Sequence, residues 1–493
     1  MTDAPTLLCL AMLLLPLTAA LLICVVRAPL ARDRVNVAGA ILTAGAALTV
    51  AALAMTGTRG PVLGGWLQLD AIGGPFLAVV AAVGLCSALV SPAYLRTAHE
   101  SLASPDTERA WYYACFHLFW AALLALPLIG NLGVAWVVTA ATTGVSALLV
   151  AQSRYPKALE AGWKYLVLTT VGLAVALLGI VVVGAAAPAG GGLAGLSWQG
   201  LTASAAHMPR SAALVGFVLI VAGLATKIGW APVHNWLPDA HSEAPPPVSA
   251  LLSAALLPTV MLIAWRTRIA LEPAVGARAG SMLFIGFGLA SLAVSVPFLW
   301  RRMAWKRLLA YSSLENMGML ALGIGFGGRL ALAGVVIHVA AHAVSKSLGF
   351  SAATPLFVVR PSAKHAPAHG LLRANPSLAA AMGLSLGALS GLPPSPLFFS
   401  EVLIVMGGFA TGHTLAAALA AVLLALGFLG LARVLVEDLM ARGPRRGEGD
   451  GAGRRALLAL TIVAGVLLGA LAVLAAVLPG SGFVRVLTAG TLP

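Results

Sequence analysis

Three side chains that can carry protons recur at four-residue spacing inside one apolar stretch of the sequence. They are His338, His342 and Lys346, and a helix places all three on one face. Imidazole titrates near neutral pH, and burial and neighbouring charges can tune an amine to titrate there as well. The spacing therefore predicts a relay that passes protons along this helix.

Single charges also lie in other apolar stretches. Lys227 ends one stretch, Glu315 lies within a second, and Glu401 follows a proline-rich turn in a third. A charged group at bilayer depth costs about 2.5 kcal/mol or more, so each of these residues needs a reason to be there. We interpret them, together with the ladder at 338–346, as a proton path.

Simpler interpretations exist for the same residues. His338 and His342 also have the spacing of a zinc pair, although no third ligand is apparent, and they could serve only interhelical hydrogen bonds. Lys227 could snorkel to the membrane interface, and Lys164, which begins a helix after a polar loop, could do the same. His117 stands alone in its apolar stretch and is interpreted as a hydrogen-bonded core histidine.

The composition excludes a soluble protein. The 493 residues are 60% apolar and 9% charged, with 30 basic and 16 acidic residues and a mean hydropathy of +0.97. A soluble chain is about 25% charged. The net charge of +14 does not indicate nucleic-acid binding, because the basic residues lie in short clusters between apolar runs, as membrane topology predicts.

The apolar runs predict an all-α polytopic membrane protein with about 14 transmembrane helices, because about 20 apolar residues cross a bilayer. The runs cover 7–26, 35–56, 70–91, 111–129, 131–151, 163–186, 211–229, 247–267, 280–299, 306–326, 330–357, 376–405, 411–436 and 456–478. No basic segment precedes the first run, so we predict an uncleaved helix there. Gly190–Gly192 is predicted to be a flexible loop, and Arg442–Arg455 a charged one.

Basic residues outside the helices set the predicted orientation. Counted on alternate sides of the runs, 19 lie on one side and 7 on the other. The side with the excess faces the cytoplasm. Both termini are therefore predicted on the non-cytoplasmic side of the cell inner (plasma) membrane.

The cysteines do not form a ligand pattern. Cys9, Cys24, Cys86 and Cys115 lie inside apolar runs, and no two form a CxxC motif. This argues against a disulfide framework, a zinc site or an iron–sulfur cluster. We predict buried structural thiols and no cofactor.

Prolines predict that two of the helices are broken. One break lies in KIGWAPVHNWLPDAHSEAPPPVSALLS (227–253) and the other in SGLPPSPLFFSE (390–401). Paired breaks persist in a membrane where protein or water satisfies the freed carbonyls, and they indicate a transport site near the midplane. The first break also contains polar residues that we expect to bind backbone or line the cytoplasmic mouth: His234, Asp239, His241 and Glu243.

The first of these segments resembles the signature of the proton-translocating antiporter-like subunits, which occur in respiratory complex I, Mrp-type cation/proton antiporters and membrane-bound hydrogenase complexes. Further matches, in family order over about residues 65–405, are NLGVAW (131–136), LEAGWKYLVL (159–168), KRLLAYSSLENMGM (306–319), HVAAHAVSKSLGF (338–350) and GLPPSPLFFSE (391–401). The DAHSEAP and AYSSLE segments are most similar to component F of hydrogenase-4.

The resemblance implies two inverted five-helix repeats at 111–268 and 280–438, flanked by N-terminal helices at 1–110 and by a charged loop and last helix at 439–493. It implies broken helices 7 and 12 and a hydrated polar axis between the repeats.

The resemblance also assigns roles to individual residues. Lys227 matches the central lysine of the family's broken seventh helix, and Lys346 matches the lysine of the second half. His338 and His342 match the connecting histidines, and Glu401 matches the terminal charged group of the twelfth helix.

A further match is Lys164, which corresponds to a family lysine at the start of the sixth helix. Family members hold no redox cofactor, because electron transfer lies in partner subunits. The implied partners are other membrane subunits and peripheral hydrogenase or dehydrogenase subunits.

The chain departs from the family pattern at one charged position. Where the fifth helix usually reads like WVAIE, this sequence reads WVVTA (136–140), so the glutamate falls on Ala140. Without that carboxylate, burial should push Lys227 toward neutrality. Either the first half is a weakened or silent channel, or Lys227 borrows a carboxylate from a neighbouring subunit or from Glu160. Smaller departures are Ala304 and Ser253, which replace an acidic residue and a histidine.

The sequence thus predicts a proton-translocating membrane subunit of a hydrogenase- or NADH-dehydrogenase-related respiratory complex, with redox chemistry in partner subunits. Two alternatives stay open: an Mrp-like cation/proton antiporter or ion-coupled uptake subunit, and a structural paralogue that does not pump. The sequence leaves the ion, H⁺ or Na⁺, and the direction of transport undecided.

Overall fold

Helices form almost the whole of the chain in its computed structural model, which describes residues 4–98, 105–187, 194–368, 370–440, 451–482 and 485. In lipid, no water can satisfy backbone N–H and C=O groups. A long apolar segment therefore folds as a helix, which pairs these groups within itself.

Six helices form the N-terminal part: α1 (Ala4–Val25), α2 (Pro29–Thr56), α3 (Gly73–Ala98), α4 (Pro105–Ala125), α5 (Leu132–Val150) and α6 (Pro156–Ala186). Two short strands, β1 (Gly60–Val62) and β2 (Leu67–Leu69), form an antiparallel hairpin between α2 and α3, with Gly60 opposite Leu69. The sequence did not predict this hairpin, which follows from turn residues rather than from hydrophobic periodicity.

The middle of the chain contains the first broken helix. Its elements are α7 (Trp198–Ala205), α8 (Arg210–Ile228), α9 (Trp236–Glu243), α10 (Pro246–Ala250), a π-helical turn at Leu251–Leu256, and α11 (Leu257–Val275). Helix α8 ends because Gly229 adopts a left-handed conformation (φ +80°) and Pro232 follows. The predicted break is present, but it is shorter than predicted, because 236–243 are helical.

The second broken helix lies near the C-terminus. The elements here are α12 (Ala277–Leu299), α13 (Trp305–Phe326), α14 (Gly328–Ser351), α15 (Ala353–Val359), α16 (Leu371–Ala374), α17 (Pro376–Leu389), α18 (Pro396–Ala410), α19 (Thr414–Met440) and α20 (Gly451–Val477). The break between α17 and α18 contains Gly391 at φ +71°.

The predicted membrane class is confirmed. Among the described residues, 12 helical spans are long and apolar enough to cross a bilayer, and α17 and α18 are shorter apolar helices. Each predicted apolar run coincides with one helix or with a broken pair. The chain is therefore an all-α, multi-pass membrane protein, whereas its division into inverted repeats stays a prediction.

The two predicted loops lie mostly outside the described residues, and the predicted burial of the thiols holds for only some of them. Gly190–Gly192 lies outside the described residues, as does most of Arg442–Arg455, but α20 begins at Gly451, inside the predicted loop. Cys9 and Cys115 are buried, as predicted, whereas Cys24 is exposed, because it lies on the outer face of the peripheral helix α1.

Burial separates central from peripheral helices. The most apolar window of Pro246–Val275 is 100% buried, whereas that of Arg455–Gly480 is only 17% buried. Helix α6 packs along α8, and α12 along α13. Small residues allow α6 and α8 to approach closely, because a Cβ at Gly223 would collide with the backbone of α6. The central helices are thus closely packed around the polar side chains.

Candidate functional site

The lysine of the first broken helix is fully buried. Lys227 lies in the last turn of α8, one residue before the helix ends. Its Nζ donates hydrogen bonds to Thr143 Oγ1 at 2.8 Å and to the Tyr165 hydroxyl, and it lies 4.6 Å from the centre of the Tyr165 ring. Within the described part of the chain, no carboxylate forms an ion pair with this lysine. Hydroxyl groups and an aromatic ring are its partners instead.

Helix α5 presents hydroxyls to Lys227 near the position where the resemblance predicts a carboxylate. Ala140 lies one turn before Thr143 and is only partly buried. Ser146, one turn beyond Thr143, shares a 2.7 Å hydrogen bond with the Tyr165 hydroxyl. This face of α5 is therefore polar but uncharged.

Glu160 does not supply the missing charge. It forms a 2.5 Å ion pair with Lys164, and its side chain is 59% exposed. Lys164 is itself 45% exposed and lies 3.5 Å from Asp239, which also pairs with Arg307 at 3.3 Å. The structure thus places Lys164 in a surface ion-pair network and not among the buried lysines and histidines.

The lysine of the second half is also fully buried. Lys346, on α14, donates to the Leu309 carbonyl at 2.5 Å and to the Ser312 hydroxyl, both on α13. Ser313, on the same helix, shares a 2.7 Å hydrogen bond with Ser253. The amine of Lys346 is therefore bound to a chain of hydroxyl and carbonyl groups that extends to the π-helical turn.

The two histidines of α14 contact different elements. The Nε2 atom of His342 lies 3.4 Å from the Ser253 carbonyl, which belongs to the π-helical turn, and His338 Nδ1 lies 2.9 Å from Ser400 Oγ on α18. The other ring nitrogen of each histidine has no hydrogen-bond partner among the described residues. The ladder predicted from four-residue spacing is present, and it joins three different elements along one helix face.

Two carboxylates, Glu315 and Glu401, accompany this ladder. Glu315, on α13, is 4% exposed, and its Oε1 atom lies so close to Gly427 of α19 that a Cβ there would collide with it. The carboxylate of Glu401 lies in the same way against Gly391, in the second break. Glu315 interacts electrostatically with both Lys346 and Glu401. Glycines therefore create the space that these two carboxylates occupy.

His241 lies deeper in the protein than the sequence predicted. It binds backbone, as expected, through Nδ1 at 2.9 Å from the Leu237 carbonyl, but it is fully buried and not at a mouth. Its ring lies between Trp236 and Phe350, at centroid distances of 6.2 and 5.9 Å. It also interacts electrostatically with Lys346.

A short series of aromatic rings connects the two lysines. The Tyr165 ring, which contacts Lys227, lies 4.7 Å from the Trp236 ring. Trp236 is in turn the neighbour of His241. The structure therefore brings the first-half and second-half groups together through Tyr165, Trp236 and His241.

Two further polar contacts lie at the end of α9. Glu243 accepts a hydrogen bond from the Tyr155 hydroxyl, and burial together with this bond raises the pKa of Tyr155 above its ordinary value. Lys306 donates to the Ser242 carbonyl at 2.9 Å. Within the described residues, no three histidine, cysteine, aspartate or glutamate side chains come together as metal ligands.

This fold and this set of buried charges define an antiporter-like membrane subunit. A family model described as "NADH:quinone oxidoreductase/Mrp antiporter, TM" matches residues 130–427, more than half of the chain, and the chain belongs to this family. It is therefore an antiporter-like subunit of the kind found in NADH-quinone oxidoreductase and hydrogenase-4 type complexes. The family predicted from the sequence motifs is confirmed.

Individual relatives agree with this class. The hydrogenase-4 component F homolog of Methylacidiphilum infernorum (isolate V4) is 35% identical over 386 residues, which cover 77% of this chain and 80% of that protein. A chain of the membrane-bound sulfane sulfur reductase, an archaeal respiratory membrane complex, has the same fold at 21% identity (TM-score 0.85), covering 98% of this chain and 97% of its own. A chain of the Mrp complex from Dietzia sp. DQ12-45-1b is similar at 19% identity (TM-score 0.78), covering 99% and 100%.

Proposed function

We propose that this chain moves protons through the second-half cluster while redox chemistry proceeds in partner subunits of a hydrogenase- or NADH-dehydrogenase-related complex. The observation that carries the proposal is the ladder on α14. Lys346, His342 and His338 are buried, lie on one helix face and each contact a different element. Burying such a titratable series in a membrane is costly, and ionisable residues at this depth usually mark ion pathways.

The geometry suggests how a proton would pass. Each histidine has one bonded and one unpartnered ring nitrogen, so each can accept a proton on one side and release it on the other. Glu401 lies beside the break between α17 and α18, and breaks in membrane helices persist where protein or water satisfies the freed backbone groups. In this proposal protons enter from the cytoplasm, reach Lys346 and leave near Glu401.

The first half has a smaller role in this proposal. Lys227 is held by hydroxyl groups and a ring, and the carboxylate that would stabilise its charged form is replaced by Ala140. Burying an ammonium without a charged partner is costly. We propose that the first half is a weakened channel and that its coupling to the second half runs through His241.

Location and partners complete the proposal. The excess of basic residues on one side supports a position in the plasma membrane with both termini on the non-cytoplasmic face. The respiratory complexes named for its relatives support an assembly with other membrane subunits and with peripheral redox subunits. Co-purification and mass spectrometry of the intact complex would identify these subunits.

The test is the substitution Lys346→Ala in the intact complex. Electron transfer by the partner subunits is measured together with proton uptake into proteoliposomes, followed with a pH-sensitive dye. We expect electron transfer to persist and proton uptake to be lost. The matched control is Lys364→Ala, which removes an exposed lysine from the same half. Undiminished proton uptake in Lys346→Ala would exclude this lysine from the path.

One observation favours a second candidate, a cation/proton antiporter. Glu315 and Glu401 interact with each other, and Glu315 Oε2 has no hydrogen-bond partner within the described residues, so this pair could hold a cation. A Na⁺ gradient that drives proton movement in proteoliposomes, without any electron donor, would support this alternative against the redox-coupled one.

A further inference from the structure

A second group of buried polar side chains lies in the N-terminal helices, outside the segment that matches the family. Asn36 and Thr43 are on α2, Ser87 is on α3, and His117 is on α4. Each is at most 1% exposed. None of them belongs to the lysine–histidine path, which lies within residues 130–427.

Five polar atoms of this group have no hydrogen-bond partner among the described residues. They are Asn36 Oδ1, Thr43 Oγ1, Ser87 Oγ and both ring nitrogens of His117. His117 was interpreted from the sequence as a hydrogen-bonded core histidine. It is in the core, but the described protein groups leave both of its ring nitrogens unsatisfied.

Side-chain contacts place the four residues along about two turns of α2, roughly 10 Å of the bundle. Asn36 Nδ2 donates to the Ala88 carbonyl at 2.9 Å, which brings Asn36 beside Ser87. A Cβ at Gly39 would lie 3.9 Å from His117 Cε1. Gly39 is about one helical turn from both Asn36 and Thr43, so all these side chains surround the same region.

Both ends of this region are closed. Toward the start of α4, Arg109 Nη1 and the Tyr113 hydroxyl donate to Asp33 Oδ1 at 2.8 and 2.6 Å. Toward its end, Trp120 Nε1 donates to the Val80 carbonyl at 3.0 Å, and its ring fills the space beside Gly84. The charged groups nearby are therefore already paired with one another.

Buried polar atoms in native proteins are almost always hydrogen-bonded, and an ordered water with two to four polar partners commonly satisfies those that protein groups do not reach. We propose that α2, α3 and α4 enclose a short row of internal water molecules whose ligands are Asn36, Thr43, Ser87 and His117. Because its ends are closed, the site holds water as part of the structure and conducts no protons.

The direction in which substitutions shift the midpoint of thermal unfolding tests this site. Thr43→Val, Ser87→Ala and His117→Leu each remove polar atoms. If water satisfies these atoms, each substitution breaks a hydrogen bond and lowers the unfolding midpoint of the purified complex by an expected 1–2 °C, roughly. If the site is dry, each substitution removes an unpaired polar group and raises the midpoint.

The readout and the control come from the same bundle. Cys9 and Cys115 are buried in α1 and α4, so a thiol-reactive dye reports when these helices open. Thr49→Val, on the exposed face of α2, makes the same chemical change where the hydroxyl bonds only its own helix. A raised or unchanged midpoint for all three substitutions overturns the proposal. So does a map of the complex that resolves ordered waters elsewhere but none beside His117.

Discussion

Replacing Ala140 by glutamate introduces a carboxylate where the family resemblance predicts one. Position 140 lies one helical turn from Thr143, whose Oγ1 atom is 2.8 Å from Lys227 Nζ. Side chains three residues apart on a helix have Cβ atoms about 5–6 Å apart, so a glutamate at 140 can bring its carboxylate to roughly 4–6 Å from the amine. The substitution therefore places an opposite charge beside a buried lysine that has none.

The size of the effect follows from Coulomb's law. At roughly 4–6 Å and an effective dielectric constant of about 20, the attraction between the two charges is about 3–4 kcal/mol. Burial of the new carboxylate costs several kcal/mol, so the two contributions nearly cancel in the stability of the fold. The charged form of Lys227 nevertheless gains relative to the neutral form. Because about 1.4 kcal/mol corresponds to tenfold, this gain is roughly 100- to 1000-fold.

The assay is the number of protons taken up per electron in proteoliposomes that contain the intact complex. We expect Ala140→Glu to raise this ratio, because a first half that can charge and discharge its lysine adds to transport. Ala140→Gln is the matched control, since it has nearly the same shape without the charge. The increase must also disappear when Lys227→Ala is added. An unchanged ratio in Ala140→Glu would refute the view that the missing carboxylate weakens the first half.

Two further predictions concern the second break and the junction of the halves. Gly391→Ala should reduce proton uptake at least tenfold, because the new methyl group collides with the Glu401 carboxylate. The control Gly412→Ala has similar left-handed strain (φ +82° against +71° at Gly391) but no atom within 4 Å of the new methyl group, so it should retain uptake. Equal losses in both variants would show that backbone strain alone causes the effect. His241→Phe should lower the number of protons taken up per electron. His241→Gln should lower it less, because glutamine keeps hydrogen-bonding groups near Lys346. The same proton-to-electron ratio in both variants and in the unmodified protein would exclude a role for this side chain in coupling.

Local sequence patterns were sufficient for much of the architecture. Hydrophobic run length predicted the helices, because lipid forces every spanning segment to satisfy its own backbone. Prolines predicted both breaks, because a missing N–H and a fixed φ act on adjacent residues whatever the surroundings. The ladder of His338, His342 and Lys346 followed from helical periodicity alone.

Contacts between helices distant in sequence were not predictable in this way. Glu160 was one candidate partner for Lys227, yet it pairs with Lys164 at the surface. Ser400 lies beside His338 only because α18 packs against α14. A side chain's partners depend on how helices are rotated and stacked, and no local pattern records that.

The sequence by itself thus determined that this chain crosses a membrane many times, where its helices break, and which residues are charged within them. Only the tertiary structure decided that His241 stands between the two lysines, that hydroxyls and an aromatic ring contact Lys227, and that four polar side chains of α2, α3 and α4 are buried together. The reason is physical: the bilayer dictates each helix separately, whereas the surroundings of a buried polar group come from the packing of several helices at once.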